Sequence, residues 1–188
     1  FKADEDGIPV MMYHYVYTEA NKPDNIGANH RLDTDLEEQF KYLKKNDYYF
    51  PSYQELRAYI EGKIELPAKS VILTFDDGEF GFLNYGIKLA EKYKVPITSF
   101  IIVSEDDGFK AVDSASPYVQ FESHSYDMHR GGGKSGHGGR ISSMTKSQIV
   151  SDLKKSAKKC GNNDAFAYPF GDYTDDAKSA TKEASILC

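Results

Sequence analysis

Apolar residues along this chain follow two rhythms. Short continuous runs, rich in β-branched and aromatic residues, occur at 8–16 (IPVMMYHYV), 71–75 (VILTF), 97–103, 118–121 and 165–168. Each has the length and composition of a buried strand. Between them, apolar residues recur at three- and four-residue spacing, the period of a helix with one buried face. Leu36, Phe40 and Leu43 mark a helix over 33–46, with Asp33 or Thr34 as its cap. Ser52 starts a second helix that runs to Ile60, and Glu55 stands at the capping-box position. Further helices are expected over 82–93, over 145–159 with Thr145 or Ser143 as cap, and over 174–183. Polar or glycine-rich stretches at 21–30, 105–117 and 131–139 read as loops. Strands alternating with helices at this spacing imply an α/β fold with a parallel sheet or a barrel. There is no internal repeat.

The composition narrows the classes. A chain of 188 residues suits one domain with a substantial core. A net charge of −6, with no dense basic face, argues against a nucleic-acid partner. Lys154, Lys155, Lys158 and Lys159 read as the solvated face of a helix. Gly133-Lys134-Ser135 resembles the end of a phosphate-binding loop, but Met128 stands where the earlier glycine is needed and no strand precedes it. No nucleotide site is expected, and the glycine-rich 131–139 segment is expected to be mobile. Two isolated cysteines, Cys160 and Cys188, make no disulfide framework and leave the compartment open. No apolar stretch is long enough to span a membrane and no signal peptide is recognisable. Both ends read as cut, so the chain is expected to be a piece of a longer protein, with any membrane contact made through an anchor outside it.

The candidate chemistry starts where the 71–75 run ends, at Asp76-Asp77-Gly78. Adjacent carboxylates at a strand end repel, and such a pair calls for a cation or a shared proton. An ordinary solvated turn is the competing reading. Two histidines, His124 and His129, follow the 118–121 run closely. Their five-residue spacing does not suit one face of a regular helix, so a loop must bring the rings together. With Asp77 they would make a set of two imidazoles and one carboxylate, suited to a divalent transition metal with open positions.

Three segments carry a specific resemblance: Thr74-Phe75-Asp76-Asp77-Gly78, His124-Ser125 with His129, and Phe166-Ala167-Tyr168-Pro169-Phe170-Gly171. In order and distance they resemble the motifs of NodB-type polysaccharide deacetylases, carbohydrate esterase family four, across roughly residues 8 to 188. The resemblance implies one deacetylase domain over 1–188, a distorted or incomplete (β/α) barrel. It implies Asp76 as general base, and Asp77, His124 and His129 as ligands of one divalent metal, with zinc favoured and cobalt or nickel as alternatives. The backbone N–H of Tyr168 would hold the oxyanion, with Ser125 and Pro169 in support. The five-residue histidine spacing, and Ala167 where many members carry arginine, resemble the branch acting on poly-β-1,6-N-acetylglucosamine. That branch has a permuted chain order and an initial Met-Tyr-His strand, which Met12-Tyr13-His14 matches. His14 is accordingly the candidate general acid, against a reading in which it only packs in the core.

The implied activity is release of acetate from an N-acetylglucosamine polysaccharide at an extracellular or cell-surface location. Peptidoglycan, chitin oligomers and acetylxylan are rival substrates. A catalytically silent carbohydrate-binding domain is the rival of another class, and the retained base beside the ligands argues against it. A purely structural metal site would normally use four protein ligands.

Overall fold

The computed structural model describes residues 7–104 and 116–188. All but the last two residues of the expected 105–117 loop lie outside the described residues. The described residues divide into two compact units, one running to Ser99 with residues 116–120, the other made of residues 100–104 and 121–188.

In the first unit the expected 8–16 strand is two strands. β1 (Val10–Tyr13) and β2 (Tyr15–Tyr17) are separated at His14. Each half has its own partner, which hydrophobic pattern cannot reveal. β2 pairs in parallel with β3 (His30–Leu32), at the end of a stretch that reads as loop. α1 (Asp33–Lys45) follows directly and buries Leu36, Phe40 and Leu43. Its N-cap is Leu32, not Asp33 or Thr34, because β3 runs straight into the helix; Asp33 sits in the first turn. α2 (Tyr53–Ile60) starts as its sequence signals: Ser52 Oγ accepts the Glu55 N–H at 3.2 Å, and the Glu55 carboxylate accepts the Ser52 N–H at 2.8 Å.

β4 (Ile72–Asp77) extends past the apolar run into both carboxylates. It pairs in parallel with β1, Val10 opposite Ile72 through Tyr13 opposite Phe75. The helix expected over 82–93 opens with a π-turn, Phe82–Gly86, before α3 (Ile87–Tyr93). Just ahead of it, Gly81 packs so closely on β2 that a Cβ there would collide with the Val16 carbonyl. Phe75 is fully buried, stacked between Tyr13 at 4.8 Å and Phe82 at 4.4 Å. Phe75→Ala should therefore cost about 3–5 kcal/mol of unfolding free energy in urea titration.

β5 (Ile97–Ile101) and β6 (Val119–Ser123) complete a sheet ordered β1-β4-β5-β6, which does not close on itself among the described residues. Every residue of β5 is buried, as in a strand covered on both faces.

The second unit is built on α4 (Lys146–Cys160) and α5 (Asp175–Glu183). Thr145 caps α4 in a capping box with Gln148, and Thr174 caps α5. Ile149 and Leu153 of α4 meet Ala177 and Ala180 of α5 in a core that includes Met128, Ile141 and Phe166. Lys154, Lys155, Lys158 and Lys159 lie on the exposed face of α4. The 165–168 run forms only a single bridge, Ser123 to Phe166. Pro169, which has no N–H to donate, stops the ladder there. Neither Cys160 nor Cys188 forms a disulfide among the described residues. No helix among the described residues is long and apolar enough to cross a membrane.

Candidate active site

The acid pair sits where β4 ends. Asp77 (φ 74°) and Gly78 (φ 72°) are both left-handed, so the chain turns sharply as it leaves the strand. A non-glycine residue in that region stores roughly 1 kcal/mol or more of strain, a cost often found at functional sites. Asp76 is 6% exposed, and its Oδ1 has no hydrogen-bond partner among the described residues. Burial, and then the neighbouring Asp77 charge, push its carboxyl up to about 7. A carboxylate so placed can take up a proton near neutral pH, and a nearby cation would favour its ionised form.

His14 follows the last paired row of β1, Tyr13 opposite Phe75. The next row of that ladder carries Asp76, so adjacent strands deliver the candidate acid and the candidate base to the same end of the sheet. The His14 ring is half-buried, 6.1 Å from that of Tyr15.

His124 follows β6 and is 3% exposed. Its Nδ1 lies 2.9 Å from the Ala167 carbonyl oxygen. A carbonyl only accepts, so Nδ1 carries the proton and Nε2 keeps its lone pair for a metal. Ser125 adopts φ 91°, another strained position. Its N–H donates to Ser123 Oγ at 3.1 Å, and its own Oγ accepts the Met128 N–H at 3.0 Å. This loop returns His129 to within 4.7 Å of the His124 ring. On its other side His129 stacks on Phe170 at 4.4 Å. Asp77, His124 and His129 each offer one ligand atom within 4.8 Å of the others. One carboxylate and two imidazoles are donors that fit a divalent transition metal.

Tyr168 caps a 3-10 turn, Pro169–Gly171, with Pro169 buried at its first position. Phe170 is left-handed at φ 58°, which accompanies the placement of its ring against His129.

The 131–139 segment, expected to be mobile, carries hydrogen bonds of its own and to Asp172. Gly131 and Gly139 pair across it, and the Gly133 N–H donates to Gly138 O at 2.8 Å. Asp172, which no sequence pattern marks, accepts the His137 N–H at 2.7 Å and the Gly139 N–H at 2.6 Å. A Cβ at Gly136 would run into that carboxylate. Close packing therefore demands glycine at positions 133, 136 and 139, whereas a Cβ at Gly131, Gly132 or Gly138 would meet nothing. The His137 and Gly139 N–H groups hold the Asp172 carboxyl below its ordinary range. Its stabilisation is present above the ordinary carboxylate pKa and fades as pH falls through the lowered one. Amides of 133–139 should thus lose hydrogen-exchange protection first on acidification. In Asp172→Ala they should lack it at every pH.

The family model described as polysaccharide deacetylase matches residues 63–187. The poly-β-1,6-N-acetyl-D-glucosamine N-deacetylase of Staphylococcus aureus strain MRSA252 is 29% identical over 168 residues, covering 80% of this chain and 57% of its own. The enzyme of that name from Staphylococcus epidermidis is 28% identical, covering 82% and 58%. The chain thus spans little more than half the length of these curated relatives. Among solved structures, IcaB from Ammonifex degensii superposes with a TM-score of 0.75 at 22% identity, covering 97% of this chain and 82% of that one. A de-N-acetylase from Aggregatibacter actinomycetemcomitans gives 0.75 at 22%, covering 95% and 85%. These neighbours share the fold, an α/β architecture on a parallel sheet. The family's model takes in the acid pair, both histidines and the Tyr168-Pro169 turn alike, and the chain belongs to the polysaccharide deacetylase family.

Proposed function

We propose that this chain is a single metal-dependent deacetylase domain that removes N-acetyl groups from an N-acetylglucosamine polysaccharide, with poly-β-1,6-N-acetylglucosamine favoured. The observation that carries this reading is the buried Asp76 carboxylate beside the Asp77, His124 and His129 donor set. The names of the Staphylococcus relatives favour the polymer. An extracellular or cell-surface site of action is proposed with it, as the family resemblance implies.

Asp77, His124 and His129 are the proposed ligands, and zinc is the favoured ion, ahead of cobalt or nickel. A divalent ion there supplies Lewis acidity, polarising the acetamide carbonyl and making water easier to deprotonate. Asp76 takes the proton from the attacking water. The Tyr168 N–H donates to the oxygen that gains charge as the carbonyl carbon becomes tetrahedral. His14 gives its proton to the leaving nitrogen as the C–N bond breaks, because an amide anion is too basic to depart unaided. Water and the acetamide thus yield acetate and a free amine. Ser125 and Pro169 fix the backbone of the two segments that carry His129 and Tyr168.

Acetate release measured on poly-β-1,6-N-acetylglucosamine, peptidoglycan, chitin oligomers and acetylxylan, with and without added zinc, tests the reading. Release from the first polymer should exceed the others and vanish with chelator. Equal release from all four would remove the substrate assignment, and zinc-independent release would remove the mechanism.

A further inference from the structure

Behind the histidine loop lies a carboxylate that the proposed reaction does not use. Asp152, on α4, accepts the Tyr126 N–H through Oδ1 at 2.7 Å and the Asp127 N–H through Oδ2 at 2.9 Å. Tyr126 and Asp127 stand midway between His124 and His129. Both oxygens are therefore committed to the short span that sets the distance between the two rings.

That span needs an anchor. Five-residue spacing cannot be delivered by a regular helix, and the loop passes through Ser125 at φ 91°. Backbone held in such a region costs about 1–3 kcal/mol and persists only where the surroundings over-determine it. Neutral partners contribute: Ser104 N–H donates to Tyr126 O at 2.9 Å, and Val103 N–H to Ser125 O at 3.2 Å. Asp152 adds a charged acceptor, and charge-assisted bonds to backbone N–H groups are about twice as strong as neutral ones. It also projects from a fixed base, because its neighbours Ile149 and Leu153 are buried in the core that contains Met128. Cations grip the same two residues from outside. Arg140 reaches the Asp127 carboxylate at 3.1 Å, and Lys155 lies 4.0 Å over the Tyr126 ring.

We propose that Asp152 is the positioning residue of the metal centre: its carboxylate clamps the backbone between His124 and His129 and holds the two imidazoles at ligand spacing before metal arrives. The inference rests on the reading of Asp77, His124 and His129 as ligands. An amide cannot replace the carboxylate, because its NH₂ would face one of the two N–H donors.

The test uses the whole chain, stripped of metal, as wild type, Asp152→Asn, Asp152→Ser and, as a control on the same helix, Ser151→Ala. Zinc affinity is measured by calorimetry, the cobalt(II) visible spectrum is recorded, and the melting temperature is followed with and without zinc. Loss of a group that orients ligands typically weakens metal binding 10–100-fold. Both Asp152 variants should show that loss and an altered cobalt spectrum while melting cooperatively, and Ser151→Ala should match wild type. Asp152 variants that bind zinc within twofold of wild type, with an unchanged spectrum, would overturn the proposal. So would variants that stay unfolded with or without zinc, which would make the role purely structural. Wild-type protein that binds no zinc, or binds it equally after Asp77→Ala, would instead bring down the ligand reading and this inference with it.

Discussion

Asp76→Asn should keep its metal and lose turnover by roughly a hundredfold to ten-thousandfold, the usual contribution of a positioned base. The substitution keeps the shape of the side chain and removes its ability to accept a proton. Asp77→Ala, one residue on, should behave differently and lose the metal itself, because it removes one of three proposed ligands. The contrast is informative because the residues are adjacent and share a charge environment: burial and the Asp77 charge together hold Asp76 at about 7. Metal content by elemental analysis, read beside acetate release, separates the roles. Equal loss of metal in both variants would show that the two roles have been wrongly assigned.

His14→Ala should cut turnover by about a hundredfold or more while leaving metal content at the wild-type level. It should also abolish the fall in rate at alkaline pH. An acid must be protonated to act, so the rate drops as pH rises through its pKa; without the acid that limb disappears. The fold narrows the choice of donor. His30 is tied to the loop before it, its Nδ1 accepting the Gly27 N–H at 3.1 Å. His137 is held against Asp172, with its Nδ1 3.2 Å from that carboxylate. His14 stands at the end of β1, the strand paired with the one that carries Asp76. A variant with full turnover per folded molecule and a lowered melting temperature would identify His14 as a core residue instead.

Much of this was legible in the chain because it depends on local chemistry. The 71–75 run, the periodic Leu36, Phe40 and Leu43, the capping box at Ser52 and the cap at Thr145 each specify their element through neighbours a few residues away. The acid pair and the paired histidines were visible because metal chemistry needs particular residue types, and their order along the chain carried the family resemblance.

What the sequence left open were matters of partner and of space. The 8–16 run gave no sign that it would break at His14, because the break comes from a change of pairing from β4 to β3. The glycines of 131–139 suggested freedom, but Asp172 lies 33 to 36 residues further on and its grip on that loop is a tertiary contact. Asp152 was equally silent, an ordinary acid on a lysine-rich helix until folding set it against Tyr126 and Asp127. Sequence by itself determined which residues could bind metal and move protons, since that is a property of side-chain chemistry. Only the tertiary structure decided which ring nitrogen of His124 faces a carbonyl, which carboxylate is buried and what holds the histidine loop, since those depend on groups brought together from distant parts of the chain.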